Sequence, residues 1–139
     1  SMALQEKLGD RHSHAAARIG LAVTGGRQGD HARSRALVEE GFRALLDIGN
    51  RLTVGTGLEE LADQLILEGS AAQAARMLGA ANALREAIHS PVPPSKTAEL
   101  ERMITSARES IGEEAFALEW ERGRRLSPEQ AVEEMFGAR

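Results

Sequence analysis

The chain has 139 residues, with 17 Lys and Arg against 21 Asp and Glu, a net charge of −4, and 42% hydrophobic residues. It has no Cys, which excludes a disulfide framework, a thiolate metal site and a cysteine nucleophile. The mild acidity speaks against a dedicated nucleic-acid binder, and no apolar run approaches the roughly 18 residues of a membrane span. Only three Phe and one Trp are present, so the core must be built from Ala, Leu, Ile, Val and Gly. One cytoplasmic domain without a signal peptide is expected, and Ser1-Met2 reads as the scar of a cleaved tag.

Period-two alternation is scarce and β-branched residues do not cluster, so the chain reads as all-α. A first pair of antiparallel helices is predicted over about 11–28 and 30–48, and a second over 51–68 and 70–89. The two pairs are related by an offset of 40 residues: Leu8-Gly9-Asp10-Arg11 returns as Ile48-Gly49-Asn50-Arg51, and Gly29-Asp30 as Gly69-Ser70. In each match a glycine closes one helix and a polar residue caps the next. Ser70 and Gln73 spell a capping box, and the helix they open repeats Ala74, Met77, Leu78, Ala81, Leu84 and Ile88 as one buried stripe. The helix before this second pair carries Val38, Gly41, Phe42, Leu45 and Ile48. Gly25-Gly26, Gly55 and Gly57 read as points of close helix approach or fraying. Pro91, Pro93 and Pro94 are expected to replace the turn where a third period would begin.

Beyond the prolines a helix is predicted over 95–111, with Leu100, Met103, Ile104, Ala107 and Ile111 on one side and Gly112 as its stop. A short helix over about 113–124 places Phe116 and Trp120 on one face. Ser127-Pro128-Glu129-Gln130 is the strongest local signal: Ser caps, Pro takes the first helical position and Gln completes the box. The helix it opens presents Ala131, Val132, Met135 and Phe136. The chain thus divides into two helical hairpins ending in a Pro-rich linker (1–94) and a three-helix cap packed on them (95–139), within one structural domain.

With Gly29 and Gly69 as the turns within pairs, Leu21-Ala22 and Leu61-Ala62 lie on the first helices, and Ser34, Gly41, Ala74 and Ala81 on the second. This size pattern resembles the tetratricopeptide repeat, stretched to 40 residues and lacking its aromatics, which implies a right-handed α-solenoid fragment. A narrower resemblance runs from about residue 29 onward. It is carried by Ala74 to Ile88 with the following Pro-Val-Pro-Pro94, by Ala98-Glu-Leu-Glu101, by Gly112 to Trp120 and by Leu126-Ser-Pro-Glu-Gln-Ala-Val132. These segments resemble the helical C-terminal region of large bacterial signal-transduction ATPase regulators, often joined to a LuxR-type helix-turn-helix, a cyclase or a kinase. The resemblance implies a sensor or protein-interaction arm of such a regulator, with ATP-binding and DNA-binding parts elsewhere.

No constellation supports catalysis or a cofactor. Thr24 to Asp30 has glycines but no Walker lysine, and His12 and His14 sit two apart, on different helix faces, where a metal needs three or four. The carboxylate doublets at 39–40, 59–60, 113–114 and 133–134 diverge by about 100° on a helix and read as solvated faces. Arg122, Arg124 and Arg125 suit a helix C-terminus, and Trp120 reads as cap core. A non-enzymatic binding module is therefore expected, with a groove lined by Ala16, Ile19, Val23 and Gly26, then Thr56, Glu59, Asp63 and Ile66. That surface suits a helical or basic peptide, or the parent protein's own ATPase module; no direct nucleic-acid or membrane contact is expected. The other open reading is an oligomerisation or spacer element, for instance a homodimer, with small-molecule sensing between repeats and cap as a third.

Overall fold

The computed structural model describes residues 31–137, with the backbone alone at 31–34. It is all-helical over these residues: α1 His31–Asp47, α2 Arg51–Leu67, α3 Ala71–Ala87, α4 Pro94–Ile111, α5 Glu113–Arg124 and α6 Pro128–Phe136. The first five match predicted helices to within two residues at either end, and α6 starts where its predicted cap puts it. The helix expected over 11–28 lies outside the described residues.

The first three helices are equal in length and joined by one repeated turn. Gly49 N donates to Leu46 O (3.1 Å) and Asn50 N to Leu45 O (3.0 Å). The same pair of bonds recurs from Gly69 to Ile66 O (3.1 Å) and Ser70 to Leu65 O (2.8 Å), then from His89 to Glu86 O (3.2 Å) and Ser90 to Arg85 O (2.9 Å). These bonds satisfy the last carbonyls of each helix and require a left-handed residue at the turn. Gly49, Gly69 and His89 supply it, with φ of 74°, 83° and 55°. The spacing between successive turns is 20 residues, half the offset that the sequence displays. The prolines therefore do not replace the third turn. The chain completes it at His89, and the prolines then carry an exposed link to α4.

Helix α3 is the centre of the molecule. Ala71, Ala74, Ala75, Met77, Leu78, Gly79, Ala80, Ala81, Leu84 and Arg85 are all buried, so the expected single stripe is in fact burial on most sides. Helices α2, α4, α5 and α6 all pack against it, which only a helix of small residues permits. The closest crossing is with α5. A Cβ at Gly79 would fall on the Trp120 carbonyl, and one at Gly123 would lie 2.7 Å from the Arg76 carbonyl carbon. The two backbones touch through reciprocal glycines. Gly55 is not such a point, because a Cβ there would meet Leu84 Cδ2 at an ordinary 3.5 Å.

Helix α6 closes the core from the other side. Val132, Ala131 and Met135 join Phe42, Leu45, Val54, Leu58, Met77 and Leu78 in one apolar cluster, and the Phe42 and Phe136 rings lie 6.1 Å apart. Its start is the predicted capping box: Gln130 N donates to Ser127 Oγ (3.0 Å) and Ser127 N to Gln130 Oε1 (2.9 Å). The box expected at Ser70 does not form. There the Ser70 amide is already committed to Leu65 O in the turn, so no donor remains for Gln73, and ψ of 53° is far from an extended cap. At Asn50 the side chain does cap, accepting from Thr53 N at 3.1 Å.

Candidate functional site

Four of the eight groove candidates, Ala16, Ile19, Val23 and Gly26, lie outside the described residues. The other four lie along one flank of α2, half-buried. They are engaged within the molecule rather than left open. Arg85 of α3 donates from Nε to Glu59 Oε2 and from Nη2 to Glu59 Oε1, both at 2.8 Å, and Nη2 also lies 3.3 Å from Thr56 Oγ1. Ile66 packs with Ile104 of α4 against the apolar core. Helix α4 thus runs alongside the flank that the repeat register leaves open. Asp63 remains half-buried between these neighbours and the outer face of α2, where Leu52 and Leu67 are 46% and 63% exposed. Beside them the Glu60 carboxyl is pushed above its usual range by desolvation, partly opposed by Lys96 of α4.

A second surface lies between α4 and α5. Ile104 and Arg108 from α4 and Glu113, Phe116, Ala117, Trp120 and Glu121 from α5 line a depression of about 590 Å³. Its position follows from the sequence of α5: residues 113, 116, 117, 120 and 121 fall on one helix face, and the Gly123–Arg76 contact fixes how α5 is rolled. Phe116 and Trp120 stack with centroids 5.7 Å apart, and the Arg108 guanidinium lies 5.0 Å from the centre of the Phe116 ring. Phe116 is buried, whereas Trp120 is only half-buried and is shared between the core and this depression. A smaller depression of about 510 Å³ lies over the third turn, bordered by Asn82, Arg85, His89 and Pro91.

Neither a family model, nor a curated protein, nor a solved structure matches this chain.

Several of the remaining charges hold helices together. Arg76 Nε lies 2.7 Å from Glu119 Oε2, and its Nη1 pairs with Glu134, so one arginine ties α3 to α5 and α6. Arg122 pairs with the other Glu119 oxygen (2.8 Å), and Arg124 with Glu86 (2.8 Å) and Asn82, so two of the three clustered arginines are spent within the fold. The Glu86 carboxyl is lowered by its hydrogen bond from Arg124. Among the described residues no group of three or more His, Asp or Glu could hold a metal, and no helix is long and apolar enough to cross a membrane. Sequence reasoning missed Arg85 and Gly123. A signal for Arg85 was present: Leu45, Leu65 and Arg85 stand at the same step of the 20-residue turn.

Proposed function

We propose that the chain is a non-catalytic protein-interaction and sensor module of a multidomain bacterial transcriptional regulator, built as a divergent tetratricopeptide-like stack with a helical cap. The recurrence of one turn at 20-residue intervals carries this reading. Identical short turns make successive helices antiparallel neighbours, and such stacks present extended surfaces whose function is shape. The side chains add support, because their charged groups cross-link α3 to α2, α5 and α6 and so hold the helices that present these surfaces. The partner is a protein segment, and the nucleotide-binding portion of the parent regulator is the nearest candidate. A docking face on α2 runs from Leu52 past Thr56 and Glu60 to Leu67, which share one side of the helix.

Retention of the parent's nucleotide-binding portion by the immobilised chain tests the reading. Wild-type protein is expected to retain it, and the double variant Leu52→Lys, Leu67→Lys to bind about tenfold less, the loss of two apolar anchors at a rim. No retention by the wild type overturns the interaction role. It would leave the spacer or oligomerisation role, which light scattering over a concentration series then measures.

A further inference from the structure

The depression between α4 and α5 is absorbed neither by the core nor by the α2 face. We propose that it is the docking site for a basic amphipathic helix of a partner protein, an inference that rests on reading the chain as an interaction module. Its floor is apolar and aromatic, formed by Ile104, Phe116 and Trp120. One rim is acidic. Glu113 and Glu121 stand one turn before and one turn after Ala117 on a single row of α5, so they are separated by about 12 Å along the axis. Two cationic side chains seven or eight residues apart on a docked helix meet that spacing, while the small side chain of Ala117 lets its backbone approach. Neither glutamate forms an ion pair among the described residues, in contrast to Glu59, Glu86, Glu119 and Glu134.

The aromatic floor already accepts a cation. The Arg108 guanidinium lies over Phe116 at 5.0 Å, while the neighbouring Trp120, the stronger cation–π partner, is half-buried and has no cation over it among the described residues. A lysine or arginine of the docked helix completes that face between the two carboxylates. The volume, about 590 Å³, suits a few side chains of a helix laid along the depression. Arg108 on the opposite rim supplies orientation, because it repels a docked helix whose basic side is turned toward α4.

Trp120 is the single tryptophan of the chain and reports on the site directly. The protein is titrated with an amphipathic peptide of Leu and Lys, about four helical turns long, and with its Leu and Glu counterpart, following Trp120 emission. The Lys peptide is expected to shift the emission saturably. Its affinity is expected to fall about tenfold or more in Glu113→Lys, Glu121→Lys, as two attractions become repulsions. The control Glu68→Lys, Glu133→Lys, which changes net charge equally on exposed residues outside the depression, is expected to stay within about twofold. Equal losses in the two double variants, preference for the Glu peptide, no emission change, or a shift produced by raising the protein concentration alone would each overturn the proposal. Retention of the parent's nucleotide-binding portion with no peptide binding at the groove overturns the groove and leaves the interaction module standing. Peptide binding at the groove without that retention does the reverse.

Discussion

Arg85 occupies a step that the turn repeat elsewhere gives to Leu45 and Leu65, and like them it is buried. A guanidinium can occupy such a place only with its charge matched, and Glu59 matches it with two 2.8 Å bonds across the α2–α3 contact. Glu59→Ala strands that charge and should cost about 3 kcal/mol in denaturant unfolding, whereas leucine at both positions should recover most of the loss. His89 is the other residue that departs from the repeat. It holds φ of 55° where its two counterparts are glycine. His89→Gly is expected to stabilise the fold by about 1 kcal/mol, and Gly69→Ala to destabilise it by a similar amount, both read from chemical denaturation.

Between helices, legibility depended on whether a feature is local. The limits of α2, α4 and α6 were readable because Asn50, Pro94 and Ser127 act on their own neighbours in the chain. Ser70 misled for the same reason: its motif is intact, but its amide is claimed by the preceding helix. Gly55 reads in the sequence as a point of close approach or fraying, yet the close approach occurs at Gly79 and Gly123, because glycine spacing within one helix does not say which other helix will cross there. Gly123→Ala would drive a methyl group into the Arg76 carbonyl and should cost about 3 kcal/mol or more, with a shifted Trp120 emission as α5 moves away. Gly55→Ala, with ordinary clearance from Leu84, should be neutral or stabilising by up to about 1 kcal/mol through helix propensity. The candidate site followed the same rule. Thr56, Glu59, Asp63 and Ile66 do share a flank of α2, but the engagement of that flank by Arg85 and α4 is a tertiary fact that no spacing encodes.

At the scale of the described fold, one apolar cluster takes residues from α1, α2, α3, α4 and α6 and a second joins α3, α4 and α5, so the helices should unfold together, and two surface carboxylates give that transition opposing pH dependences. Glu60 has its carboxyl raised by desolvation, so its stabilising contribution is present below the usual carboxylate value and is lost as pH rises through the raised one. Glu86 has its carboxyl lowered by Arg124, so its contribution is present above the usual value and is lost as pH falls. In thermal melts, Glu60→Gln should therefore exceed wild type at about pH 7 and converge on it near pH 4, while Glu86→Gln should fall below wild type only at the higher pH. The shared turns carry a further consequence. Because Asn50 and Ser70 each finish one helix and begin the next, there is no slack between α1, α2 and α3. One inserted residue at either place would rotate everything downstream by about 100° and tear α3 from its neighbours. The exposed link between His89 and Pro94 imposes no such register, so a change in chain length there leaves α1, α2 and α3 in place.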